Sequence, residues 1–107
     1  MSLIKQNHGT PFQVTATHAT SAVCTQTGVS GQTIFVTDIS GSSDKSGALI
    51  LVKDGSTVIW QDRISSTCAY THAFNQPLKI TSGANLTVTV DGTALCNSNV
   101  AGFILPS

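Results

Sequence analysis

Glutamate is absent from the chain, and its five aspartates are matched by five lysines and arginines, so charged residues make up only 9% of 107 and the formal net charge is zero. A chain this poor in positive charge does not bind nucleic acid or an anionic membrane surface by electrostatic attraction. The cysteines are few and odd in number. Cys24, Cys68 and Cys96 lie far apart with no CxxC pair, which argues against a disulfide framework or a zinc ribbon and reads most simply as small buried hydrophobes. One disulfide with a free thiol is compatible with the count. No apolar run reaches membrane-span length and residues 1–6 carry no signal-peptide core, so synthesis and folding in the cytosol are expected, and the acceptor motif at Asn85-Leu86-Thr87 then has no use. Helix-period patterning with caps is missing as well. Polarity comes instead from serine and threonine. A surface rich in hydroxyls and nearly free of charge lacks the usual electrostatic defence against self-association, which suits a protein that sits against other protein.

The strongest local signal is residues 47–64, where apolar β-branched runs flank Asp54-Gly55. Those two residues fit the central positions of a type I′ turn, so a hairpin is expected. The incoming run, residues 49–52, is apolar throughout and predicts cover on both faces. The outgoing run alternates, placing Val58, Trp60 and Ile64 opposite Gln61 and Arg63. Before it, residues 1–10 show no periodicity and read as an arm closed by Gly9 and Pro11. Residues 12–27 suggest one or two short strands, residues 32–39 a firm one, and residues 40–47 a loop rich in serine and glycine. After the hairpin, Cys68, Tyr70, His72 and Phe74 share one face of a strand that Pro77 interrupts, with a short strand at residues 78–80 beyond it. Residues 86–90 alternate most strictly, Asp91-Gly92 repeats the turn signal, and residues 99–105 form a terminal strand.

Seven to eight short strands with loop signals about every ten residues predict an all-β chain, an antiparallel β-sandwich with jelly-roll-like connectivity. It fits one domain, with residues 1–31 as N-terminal arm and first short strands and residues 32–107 as the sandwich body. An immunoglobulin arrangement would put its Trp soon after the first Cys, whereas Trp60 lies far from Cys24 and just before Cys68.

Chemistry is sparse. Cys68 and His72, with Cys96, His8 or His18, are the best metal candidates, but four residues along a strand span about 13 Å, too far for shared ligation without a bend. No nucleophile motif is present, Asp54 and Asp91 are explained as turn residues, and Asp62 and Arg63, being adjacent on a strand, point to opposite faces. The glycines match no phosphate-cradling loop, and no cofactor is implied. The reading is therefore non-enzymatic. Trp60, Tyr70, Phe12, Phe35, Phe74 and Phe103 could make a sugar-stacking platform, but their places in alternating strands make them core or subunit-interface residues first.

The order of segments at residues 33–39, 51–60, Gln76-Pro77-Leu78, 86–90 and 99–103 resembles small tailed-phage virion proteins, the β-sandwich or jelly-roll domains of head decoration and cement proteins and of fibre and tail accessories. The resemblance covers residues 32–105 and rests on turns and strand endings. It implies a virion structural protein on the capsid exterior, made in the host cytoplasm, that binds the major capsid protein, self-associates as a homotrimer and stabilises the shell, with no nucleic-acid or membrane partner. Candidate interface residues are Leu3 and Ile4 in the arm, the expected shell contact, together with Phe12, Trp60, Asp62 and Arg63. The alternatives are a tail or fibre accessory or receptor-binding module, and a carbohydrate-binding module using Trp60 or Tyr70.

Overall fold

The computed structural model describes residues 9–44, 47–64, 69–92 and 95–107. They form eight strands: β1 (Thr10–His18), β2 (Ser21–Gln26), β3 (Gln32–Ser43), β4 (Ala48–Asp54), β5 (Thr57–Ile64), β6 (Tyr70–Lys79), β7 (Leu86–Asp91) and β8 (Cys96–Pro106). Sheet A has the order β1-β8-β3-β6 and sheet B the order β2-β7-β4-β5, every pairing antiparallel. Only the β4-β5 connection stays within a sheet; every other one crosses between sheets. That is jelly-roll connectivity, and it sets aside the immunoglobulin arrangement.

Alternation explains the layering. On β7, Leu86, Val88 and Val90 are fully buried while Thr87 and Thr89 face outward. They meet Ile50 and Val52 of β4 and, across the sandwich, Ile34, Val36 and Ile39 of β3 and Val100 of β8. Each such aliphatic side chain contributes about 2 kcal/mol by leaving water. β1 and β2, from the stretch expected to hold arm and first strands, are integral to the two sheets.

Five local expectations are corrected. Residues 49–52 are not equally covered on both faces: Ile50 and Val52 are buried, whereas Leu49 and Leu51 are half-buried on the outer face of sheet B, which no strand among the described residues covers. The hairpin turn is one residue later than expected, because Asp54 pairs with Thr57 and leaves Gly55-Ser56 as the loop, with Gly55 at φ +61°. Asp54 instead accepts hydrogen bonds from the Thr81 backbone N–H at 3.1 Å and hydroxyl at 2.7 Å. Within the hairpin the register also shifts: Val52 pairs with Trp60 but Lys53 with Val58, so Ile59 bulges and Val58 leaves the Trp60 face. Residues 40–43 belong to β3 rather than a loop, since Gly41 slips under Val90 and Ile50 where a Cβ would collide, and Ser43 is buried. Pro77 lies inside β6 without ending it, which an edge strand tolerates because one side of its backbone needs no partner. Asp91-Gly92 leads from β7 in sheet B toward β8 in sheet A and makes no hairpin.

Candidate functional site

Two groupings of side chains stand out. The first fills the side of the sandwich where the edge strands β5 and β6 face each other from different sheets. Trp60, Asp62 and Ile64 pair with the buried Val52, Ile50 and Ala48, so their side chains turn toward sheet A. From β6 come Tyr70, His72 and Phe74, alternating with exposed Thr71 and Ala73. The Trp60 ring lies 5.0 Å from His72, 5.4 Å edge-on to Phe74 and 6.4 Å from Tyr70, with His72 and Phe74 4.7 Å apart. These spacings are those of favourable tilted and edge-to-face aromatic pairs.

Asp62 closes the rim. The Tyr70 hydroxyl donates to its Oδ2 at 2.7 Å and the Arg63 backbone N–H donates to its Oδ1 at 2.8 Å. These bonds, the tyrosine's first, hold the Asp62 carboxyl below its ordinary pKa. Tyr70 is pushed up to about 12, chiefly by burial and then by the neighbouring carboxylate that accepts its hydrogen bond. The pair thus stays one anion and one phenol across the neutral range, which leaves it without proton-transfer capacity there. Arg63 turns away and donates from Nη1 to the Gly47 carbonyl at 2.9 Å.

The second grouping is the outer face of sheet A. Thr15, Asn99, Ser40 and Thr71 form one row across all four strands, and Gln13, Ala101, Asp38 and Ala73 form the next. Between the rows is a shallow depression of about 190 Å³. The register also sets Pro11, Phe103, Phe35 and Lys79 in a row, with the two phenylalanine rings stacked 5.1 Å apart at 14°. This face, apart from Asp38 and Lys79, carries hydroxyls, amides and apolar groups.

The expected interface residues are scattered. Trp60 and Asp62 come together in the aromatic cluster with Arg63 beside them, whereas Phe12 packs its half-buried ring against the core from β1, an outer strand on the opposite side. Leu3, Ile4, His8 and Cys68 lie outside the described residues. His18 accepts backbone N–H bonds from Thr20 and Ser21 at its Nδ1, which holds the β1-β2 turn. Cys24 and Cys96 are buried, and burial raises the Cys24 pKa. Among the described residues no group of three or more His, Cys, Asp or Glu is arranged to hold a metal. The hydroxyl face was not anticipated, although its signal was present: Ser40 beside Ile39, and Asn97 and Asn99 flanking Ser98 and then Val100, alternate polar with buried positions.

The class these features define is an eight-stranded antiparallel jelly-roll sandwich. No protein-family model matches the chain, and no characterised protein matches its sequence. Solved structures do resemble its fold. A region of the insecticidal delta-endotoxin Cry8Ea1 of Bacillus thuringiensis aligns at 11% identity and TM-score 0.50, covering 85% of this chain and 19% of the toxin. A family 35 carbohydrate-binding module from an environmental isolate aligns at 20% identity and TM-score 0.46, over 83% of this chain and 71% of the module. The coat protein of tobacco streak virus aligns at 9% identity and TM-score 0.41, over 91% of this chain and 88% of the coat protein. This chain therefore spans about a fifth of the toxin's length. At 11% identity the likeness to the toxin is one of fold alone.

Proposed function

We propose that this chain is a non-enzymatic virion structural protein, a capsid decoration or cement subunit that lies on the outer surface of a shell built from the major capsid protein and stabilises it. The observation that carries this reading is the outer face of sheet A, where Thr15, Asn99, Ser40 and Thr71 run unbroken across the sheet with Asp38 as the nearby charge. Hydroxyls and amides on a rigid sheet satisfy a partner's polar groups without the desolvation penalty of buried charge. Cement contacts act by mass action, since a ligand that binds only the assembled shell stabilises it. The resemblance of residues 32–105 to small tailed-phage virion proteins supports the same reading, and the aromatic cluster is accounted for as the plug of one side of the sandwich.

The test uses undecorated shells assembled from the major capsid protein of the same genome. The chain is expected to co-sediment with them at fixed stoichiometry and raise their melting temperature, and Thr15→Arg with Thr71→Arg is expected to abolish co-sedimentation while the fold is kept. A chain that stays in the supernatant overturns the proposal. Retention on a glycan column, lost in Trp60→Ala, would assign it instead to carbohydrate binding.

A further inference from the structure

We propose that two copies of this chain join edge to edge through β2, in antiparallel pairing about a two-fold axis, so that sheet B continues from one copy into the other. The inference rests on the reading of the chain as an assembling structural subunit and specifies where it meets itself, as a dimer in place of the homotrimer that the resemblance implies.

Each sheet ends in two edge strands, and the sandwich therefore has two open sides, β1 with β2 and β5 with β6. The β5 and β6 edges carry the devices that discourage strand addition: a bulge at Ile59, an irregular stretch around Pro77, and the charges Asp62, Arg63 and Lys79. The other side has almost none. No Lys, Arg, Asp or Glu occurs between Lys5 and Asp38, so β1 and β2 are both uncharged. Of the two, β1 carries Pro11, which lacks an N–H, while β2 has no proline and pairs with β7 from Ser21 to Gln26 without a register shift. Among the described residues no strand lies beside its far edge. The Gly92 N–H donates to the Thr20 carbonyl across the β2-β7 ladder, so by alternation Ser21, Val23 and Thr25 turn their backbone groups toward the free edge.

Charge selects the occupant. A second copy brings to this edge another strand with no charge, so neither repulsion nor an unpaired buried ion opposes the contact. Alternation then selects the register. Ala22 and Cys24 are buried and Val23 is 49% exposed, so a continuous sheet must oppose outward residues to outward ones. A two-fold axis satisfies this only when centred on a residue rather than between two. Centring on Val23 opposes Val23 to its own counterpart, Ser21 to Thr25, and Ala22 to Cys24. Every opposed pair is then uncharged and matched in face. Threonine and valine are also the side chains that favour strand pairing.

Light scattering on the purified full chain is expected to give twice the 11.1 kDa chain mass, and Val23→Lys, at an exposed position, is expected to halve it with an unchanged circular dichroism spectrum. Val58→Lys, on the opposite side and also exposed, is expected to leave the dimer intact. A wild-type monomer, a trimer, or a dimer that survives both Val23→Lys and Thr25→Lys overturns the proposal. Shell binding by a strict monomer would overturn this contact while leaving the decoration role standing, and a β2-dependent dimer that ignores shells would do the reverse.

Discussion

The two open sides of the sandwich solve one problem in different ways. Between β1 and β2 the inward side chains other than Phe12 are small or slender, Val14 and Ala16 facing Ala22 and Cys24, and the strands approach closely across the sheets. Between β5 and β6 the inward side chains are the rings of Trp60, Tyr70, His72 and Phe74 and the carboxylate of Asp62, which fill the mouth while the backbones stay apart. The closed side leaves regular, uncharged strand edges; the plugged side leaves bulged and charged ones. The contrast shows that packing inside a sandwich and sociability outside it are decided by the same few edge residues. A large ring cluster holds the strands apart and accompanies edge irregularity, whereas small residues permit a straight edge onto which another strand can add.

The largest predicted effect removes the plug. Trp60 touches three other rings, and Trp60→Ala is expected to cost about 3 kcal/mol, at the low end for a large aromatic because the indole is only half-buried. Val14→Ala on the closed side is expected to cost about 1 kcal/mol, since fewer atoms leave and the neighbours are already in contact. Urea unfolding of both variants measures the difference. Equal losses would mean that Trp60 is a surface ornament and the aromatic mouth carries no special share of the stability.

Much of the fold was legible because alternation is a strong signal. The strict pattern at residues 86–90 and the run at residues 32–39 both correspond to strands, and Tyr70, His72 and Phe74 share one face of a third. What alternation does not encode is an extra residue. The bulge at Ile59 separated Val58 from Trp60, and no local composition marks it, because the contacts that accompany it, Asp54 with Thr81 and Trp60 with β6, come from elsewhere in the chain. The serine-glycine stretch at residues 40–43 misled for the opposite reason. Composition there favours a loop, but a tight interior under Val90 and Ile50 requires the smallest residues in an otherwise ordinary strand. Of the candidate site, Trp60 and Asp62 were legible as unusual, whereas their joining with Tyr70 depends on two sheets meeting at one side.

A smaller effect tests the rim of the plugged side. Asp62 has its folded pKa depressed, so its contribution to stability is present above the unfolded value of about 3.9 and is lost as pH falls through the folded one. Tyr70 is raised to about 12, so its contribution is present below the unfolded value of about 10 and drains away as pH rises from there. Wild-type stability is therefore expected to fall at both ends of the scale, below about pH 4 and above about pH 10. Tyr70→Phe should flatten both limbs, the alkaline one because the phenol is gone and the acid one because Asp62 loses its main hydrogen bond and its folded pKa returns toward the unfolded value. Thermal unfolding across pH measures both limbs, and an unchanged alkaline limb would show that the phenol is not what titrates. The closed side, with no carboxylate on β1 or β2, should not contribute to the acid limb, whereas the buried Cys24 thiol, its pKa raised by burial, adds to the alkaline one.

The smallest expected change in stability carries the sharpest test of why the plugged side stays unpaired. Pro77 withholds an N–H from the β6 edge, and Asp62 sets an ionised group at the mouth where an added strand would have to desolvate it. Asp62→Asn preserves an acceptor for the Tyr70 hydroxyl while removing the charge, and Pro77→Thr restores the N–H with a residue that favours strands. Neither change creates a cavity, so the double variant should remain within about 0.5 kcal/mol of wild type. Its association should nonetheless change: with the β5 and β6 edges disarmed, light scattering is expected to show species heavier than the wild-type assembly, growing with concentration. If the mass does not change, the bulges alone keep this side solitary, and charge and proline are not the reason that assembly is directed to β2.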